Sequence, residues 1–222
     1  MQFSTKKEAL KVVHGLSEPS KMPCYGYSIP ASSCKIGAMI AKANKNSICG
    51  KCYAKRGHYR HKTVQNALER RLVSIQNPNW VDAMVYLING MPHFRWHDSG
   101  DIMDISHLAK IVEIAKRTPE TKHWLPTREY PTIATFVNNA KETAKKKKKA
   151  LRKYIPENLT IRLSAGDFDS KGPVGLAKKL GVGVSGASKT EYNCPASKQE
   201  NECKDCRKCW DKKAFSIMYK KH

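Results

Sequence analysis

No stretch of this 222-residue chain approaches the roughly 20 apolar residues that a membrane-spanning helix needs. No membrane association is therefore expected. The opening Met1-Gln2-Phe3-Ser4-Thr5-Lys6-Lys7 runs into charge without an apolar h-region, so a secretory signal peptide is not expected either. The reading that follows is a protein working in a reducing cytoplasm. Acidic residues are scarce, 19 against 41 Lys and Arg, for a net charge of +22. That balance bears on partners rather than on fold and makes a polyanion such as DNA or RNA the natural partner class. Part of the excess is the unbroken run Lys145 to Lys149, which alone reads as a solvated helix end. The long middle of the chain contains no cysteine. All eight fall near the two ends, as Cys24, Cys34, Cys49 and Cys52, and as Cys194, Cys203, Cys206 and Cys209.

Thiols at short spacing in a reducing compartment favour metal ligation over disulfides. The C-terminal set reads C-P-x7-C-x2-C-x2-C. Three knuckle-spaced cysteines with a Cys-Pro ligand suit an iron–sulfur centre, although bacterial ferredoxins place Cys-Pro last. Zinc normally uses two separated knuckles and fits less naturally, but stays open. In the N-terminal set Cys49-Gly50-Lys51-Cys52 is one knuckle, with Cys34 and Cys24 at wide spacing upstream. Three of these four can hold a [4Fe-4S] cluster and leave one iron free; all four can close a structural site; a site split between the two sets is a third arrangement.

Between the cysteines the apolar period alternates between helix and strand. Helices are expected from Lys6 to His14, Thr63 to Gln76, Trp80 to Asn89, after Asp104 or Ser106, from Thr132 to Lys149, and from Gly175 to Leu180. Strands are expected at His93 to His97, Lys122 to Pro126, Leu159 to Ser164 and Val182 to Ser185. Residues 22–62 read as a loop-rich cysteine region, 63–184 as an α/β core and 185–222 as a cysteine-rich tail of one single domain. Strand–helix alternation predicts right-handed βαβ units and a parallel sheet. The chain is too short for a full eight-stranded barrel once the cysteine segments are set aside. The expected fold is α/β, a partial (β/α) barrel or short parallel sheet, with cysteine-rich, metal-bound loops at its N- and C-terminal ends.

Ligands collect at the C-terminal ends of parallel strands, and three strands here end in polar residues. His97-Asp98-Ser99-Gly100-Asp101 combines a proton-exchanging imidazole, two carboxylates, a hydroxyl and a glycine permitting close backbone approach. Helix capping accounts for one or two of these five, not for all. Arg128 and Glu129 follow the next strand, where arginine suits a carboxylate or phosphate; the bland reading is a surface ion pair. His97, Asp98, Asp101, Arg128 and Glu129 are thus the catalytic candidates. Tyr53, Ser99, Gly100, Thr127, Arg162 and Ser164 are the cofactor-binding ones. Arg162 alternates with Ile161 and Leu163, so it points away from their face and requires an anionic partner if buried.

C-x2-C-Y-A at Cys49 to Ala54, F-R-W-H-D-S-G-D at Phe94 to Asp101, H-W-L-P-T-R-E-Y at His123 to Tyr130, and C-P-A with C-x2-C-R-x-C-W at Cys194 to Trp210 resemble the phage and prophage "gene product eighty-eight-like" family over nearly the whole chain. That family in turn resembles a reduced relative of the radical S-adenosylmethionine barrel proteins. The resemblance implies a [4Fe-4S] cluster on three cysteines of the loop after the first strand, S-adenosylmethionine on its free iron, and action in a bacterial host cytoplasm. Two features depart from the superfamily: the C-x3-C-x2-C spacing is replaced by Cys34-x14-Cys49-x2-Cys52, and no G-G-E block is present. The expectation is an iron–sulfur enzyme with one or two clusters and a small-molecule ligand in a crevice at the strand ends. The alternatives are a zinc-stabilised nucleic-acid-binding protein and an iron–sulfur electron-transfer protein.

Overall fold

A computed structural model describes residues 3–221. Six strands form one parallel sheet whose spatial order is the chain order: β1 (Tyr25–Tyr27), β2 (His93–Trp96), β3 (Lys122–Thr127), β4 (Leu159–Ser164), β5 (Gly183–Ser188) and β6 (Ser216–Lys220). Seven α-helices accompany them: α1 (Lys6–Val13), α2 (Lys35–Ala43), α3 (Lys62–Ser74), α4 (Trp80–Ile88), α5 (Ile105–Arg117), α6 (Tyr130–Lys146) and α7 (Val174–Leu180). The expected α/β class and parallel sheet are therefore observed. No helix among the described residues is long and apolar enough to cross a membrane.

Helix boundaries follow local chemistry. Thr5 accepts from the Glu8 amide while the Glu8 carboxylate accepts from the Thr5 amide, a capping box that starts α1. Asp104 caps α5 by accepting from the His107 amide at 2.8 Å. In left-handed conformation, Gly181 (φ 78°) closes α7.

Sequential parallel strands with right-handed crossovers place their helices on one side of the sheet. Accordingly α4 packs on α5, α5 on α6 and α6 on α7. Phe94, Trp96, Leu125, Ile161, Leu163 and Val184 point to that side and join Trp80, Met84, Leu108, Ile111, Ile133 and Val137 in the apolar core. The central strand β4 is buried at all six positions, as a strand covered on both faces must be.

What covers the other face is the cysteine-rich connection between β5 and β6. The strand period puts Arg95, Trp124, Thr160 and Arg162 on this face, with Arg95 paired to Trp124 and Trp124 to Thr160 in register. Trp210 packs on Trp124 with ring centroids 5.4 Å apart. Its indole N–H donates to the Phe94 carbonyl at 2.9 Å. Thr160 Oγ1 donates to the Trp210 carbonyl at 2.8 Å. A polar and aromatic face thus meets a polar tail, while the apolar face meets helices.

Candidate functional site

The segment after β1 lies across the C-terminal ends of β2, β3 and β4, and hydrogen bonds tie it there. Ile29 N–H donates to the Ser99 carbonyl at 3.0 Å, and Ile48 N–H to the Gly166 carbonyl at 2.9 Å. Ile36 N–H donates to Glu129 Oε1 at 3.0 Å. Asn44 Nδ2 donates to Asp167 Oδ1 at 2.9 Å. Cys34, Cys49 and Cys52 are carried by this segment to the strand ends. Gly37 lies between two of the sulfurs. A Cβ there would stand 3.1 Å from Cys34 Cβ, 3.4 Å from Cys49 Sγ and 4.0 Å from Cys34 Sγ. Gly50 is more tightly constrained, since its Cβ would lie 2.4 Å from the Lys45 carbonyl oxygen.

Burial pushes the Cys34 thiol up to about 12, with Asp101, Cys52 and Cys49 adding to the rise and Arg128 opposing it. Burial also raises Cys49, against the opposing charges of Arg128 and Lys55. These three thiols therefore share one environment with Asp101 and Arg128. Cys24 belongs elsewhere. Burial raises it to about 12, and the titratable groups acting on it are Arg95, Cys203, Arg207 and Cys209. The amide of Cys203 donates to the Lys21 carbonyl at 3.1 Å, which draws the two chain ends together. The four-and-four division along the sequence becomes three and five in space. All eight cysteines are free thiols. Among the described residues no group of three or more His, Cys, Asp or Glu is placed to hold a metal ion. Sulfurs sharing one zinc at about 2.3 Å would crowd together, and that closeness is not preformed.

The polar strand ends divide by what each side chain touches. Asp101 is the buried hub. Its Oδ1 accepts from the Ile102 amide at 2.8 Å and from Thr127 Oγ1 at 2.6 Å, and its Oδ2 accepts from the Arg128 amide at 2.8 Å. Burial lifts its carboxyl to about 6 although all three donors favour the carboxylate. Arg128 donates from Nε to the Ala165 carbonyl at 2.8 Å. Asp98 binds Arg95 at 3.0 Å and accepts from the hydroxyls of Tyr59 and Tyr53.

His97 has a left-handed backbone (φ 57°), unusual for a non-glycine residue. Its Nδ1 lies 2.9 Å from the Tyr27 carbonyl, which makes Nδ1 the protonated nitrogen and Nε2 a bare acceptor. Burial lowers its pKa to about 4. His107 complements it. Its Nδ1 accepts from the Met103 amide, so its Nε2 carries the proton. The two rings are 5.1 Å apart, and both Nε2 atoms are buried without a partner. Ser99 Oγ is likewise buried and unpartnered.

Three candidates are used by the fold itself. Gly100 (φ 85°) meets protein rather than ligand, because a Cβ there would lie 2.3 Å from Ile29 Cγ1. Glu129 holds the first turn of α2 through the Ile36 amide. Arg162 is fully buried, and its expected anion is replaced by five backbone carbonyls of the tail. Nε donates to Cys209, Nη1 to Ala214 and Phe215, and Nη2 to Lys208 and Asp211. Thr127 bonds Asp101 and accepts from the Glu129 amide at 3.0 Å. Ser164 Oγ pairs with Ser185 Oγ at 3.0 Å. Tyr53 is 55% exposed as a residue, while its hydroxyl reaches the Asp98 carbonyl.

Arg95, Tyr59 and Tyr219 escaped the sequence reading. Arg95 bonds Asp98, lies over the Trp124 ring at 4.7 Å, and influences both Cys24 and Tyr219. Strand parity was the available signal for it, since Arg95 alternates with Phe94 and Trp96 as Arg162 does with Ile161 and Leu163. Tyr219 hydroxyl lies 3.5 Å from Cys209 Sγ.

Neither the curated proteins nor the solved structures include a match to this chain. A family model does match, over residues 2–212. With the strand-end blocks and both cysteine groups inside that span, the chain belongs to the Gene product 88 family.

Proposed function

We propose that the protein is an iron–sulfur enzyme with a radical-S-adenosylmethionine-like centre on Cys34, Cys49 and Cys52. The observation that carries this reading is that one segment, hydrogen-bonded to Ser99, Glu129, Gly166 and Asp167, carries Cys34, Cys49 and Cys52 across the C-terminal ends of β2, β3 and β4. Gly37 brings the backbone of α2 close to both Cys34 and Cys49. When bound, a [4Fe-4S] cluster with one thiolate-free iron supplies a place for S-adenosylmethionine to chelate and accept an electron.

The chain's own residues would then act around that ligand. Arg128 offers cationic N–H groups beyond its Nε bond, suited to a carboxylate. Asp101, held near neutrality in its pKa, exchanges a proton at its carboxyl oxygens. His97 and Ser99 contribute buried polar atoms with unused capacity. The six strands are read as a partial (β/α) barrel whose inner face is filled by Arg95, Trp124, Arg162 and the tail. Cys24, Cys194, Cys203, Cys206 and Cys209 are read as an auxiliary or structural centre.

Anaerobic purification with iron and acid-labile sulfide analysis tests the proposal. The protein should be brown and bind S-adenosylmethionine. Cys34→Ala, Cys49→Ala and Cys52→Ala should each abolish that binding, while Cys24→Ala should not. A colourless protein with stoichiometric zinc and no sulfide would sink the reading.

A further inference from the structure

From residue 19 to residue 68 the chain contains no Asp or Glu, yet it carries nine Lys and Arg: Lys21, Lys35, Lys42, Lys45, Lys51, Lys55, Arg56, Arg60 and Lys62. This acid-free stretch includes the segment that bears Cys34, Cys49 and Cys52. Its densest part is 51–62, where the short 3-10 turns Tyr53–Lys55 and Gly57–Arg60 follow Cys52. Lys51, Lys55, Arg56, Arg60 and Lys62 are all exposed there. Among the described residues none of them forms an ion pair, whereas Lys146 and Arg152, around the lysine run, pair with Glu142 and Glu157. The positive charge at the mouth of the three-thiol site is therefore uncompensated.

Aromatic rings are interleaved with these cations. Tyr53 and Tyr59 pack edge to face at 5.8 Å, and both hydroxyls are anchored on Asp98. A tyrosine fixed by its hydroxyl and 55% exposed offers a rigid ring face. Side chains with free charge and a held aromatic face match what unpaired nucleotides require: cations for phosphates, a flat ring for a base. Duplex DNA would leave the ring without a partner, because its bases are already stacked.

We propose that residues 51–62 dock a single-stranded nucleic acid, with Lys55, Arg56 and Arg60 on phosphates and the Tyr53 ring under a base. Resting on the three-thiol reading, this names nucleic acid as the substrate class of that site. The docking itself does not require the cluster. Tyr53 and Tyr59 both bond Asp98, just after β2, so a strand held here lies beside the C-terminal strand ends.

Fluorescence anisotropy with a labelled oligo-dT and a labelled oligo-U tests the proposal on the full chain. The combined Lys55→Glu, Arg56→Glu and Arg60→Glu variant should weaken binding at least tenfold and flatten log K against log salt by roughly 2, at about 0.7 per lost contact. Tyr53→Ala should weaken it about tenfold, and Tyr53→Phe, which keeps the ring, should stay within about threefold of the wild type. The combined Lys147→Glu, Lys148→Glu and Lys149→Glu variant should cost less than threefold. Equal losses from the two triple variants would reduce the affinity to diffuse charge and overturn the proposal. Absence of binding at low salt would do the same, as would tight binding to anionic vesicles with which the oligonucleotide does not compete. Iron and sulfide content measured on the same preparations keeps the two readings apart: an iron-free protein that still binds oligonucleotide loses the cluster and keeps the docking surface.

Discussion

The two thiol groups share one sheet but are assembled in opposite ways. Cys34, Cys49 and Cys52 come from a single segment, held to the strand ends by bonds to Ser99, Glu129, Gly166 and Asp167. Cys24, Cys194, Cys203, Cys206 and Cys209 come from both ends of the chain. Arg162, Trp210 and the Cys203–Lys21 bond fix the tail that carries four of them to the sheet's polar face. The first group lies at the strand ends with Asp101 and Arg128. The second includes Cys24, which lines a cavity with Met22, Pro23, Tyr25 and His93. The proposed centre of chemistry is built from local chain laid over strand ends, and the proposed staple from long-range contacts. The two should fail independently.

The largest expected effect comes from breaking the second group alone. Arg162→Met would leave the tail carbonyls of Lys208, Cys209, Asp211, Ala214 and Phe215 without their donors. Each unsatisfied buried acceptor costs about 1–3 kcal/mol, and water reaching the tail recovers part of that. A net loss of about 3–5 kcal/mol in chemical denaturation is expected. Cys203, Cys206 and Cys209 should become reactive to thiol reagents while Cys34 and Cys49 stay protected. Arg162→Lys should rescue little, because an ammonium cannot reproduce the planar fork. Uniform exposure of all eight thiols would erase the distinction between the groups.

Acid should act from the other side of the sheet, with a smaller effect. His97, His107 and His123 are buried on the helical side, and burial lowers all three, to about 4 at His97 and about 3 at His123. Below 6.5 the unfolded chain takes up protons that the folded chain refuses. Stability contributed by these imidazoles is therefore lost as pH falls from 6.5 towards 4. Asp101 runs oppositely. Its folded carboxyl keeps a proton up to about 6 against an ordinary 3.8, so its contribution is present at low pH and lost as pH rises through that interval. Three groups outweigh one, and a net fall in stability is expected between pH 6.5 and 4. A denaturation midpoint that stays flat across this window would place the histidines in wetter surroundings than the fold gives them.

Legibility in the sequence followed the same division. Strands β2 to β5 and most helices announce themselves by period, because each has one apolar face against the core. Three elements do not. β1 is three residues, Tyr25-Gly26-Tyr27, too short for any period to show. α2, Lys35-Ile36-Gly37-Ala38-Met39-Ile40-Ala41-Lys42-Ala43, begins at a cysteine and reads as loop, since a carboxylate 93 residues away secures its first turn. β6 follows the cysteine tail and is buried only at Ile217 and Met218 in its middle. The strand-end residues were found by pattern, but their partners were not. Spacing says that Gly100, Glu129 and Arg162 are special; only the fold says that they meet Ile29, α2 and the tail.

The smallest effect on stability, and the sharpest on the comparison, is expected at Gly37. An alanine in the interior of α2 gains up to about 1 kcal/mol of helix propensity over glycine. Against that gain, its Cβ would press Cys34 Cβ at 3.1 Å and Cys49 Sγ at 3.4 Å, so these atoms must move by a few tenths of an ångström. The two terms nearly cancel, and thermal denaturation of Gly37→Ala should stay within about 1 kcal/mol of the wild type. The displaced sulfurs, however, are those proposed to hold the cluster. Iron and sulfide retained by the three-thiol group should drop severalfold, with S-adenosylmethionine binding falling in parallel. Iron dependent on the other group should be unchanged, which the combined Gly37→Ala and Cys203→Ala variant isolates by subtraction. If metal content is insensitive to Gly37 but lost with Cys203, the chemistry belongs to the tail and the roles of the two groups are reversed.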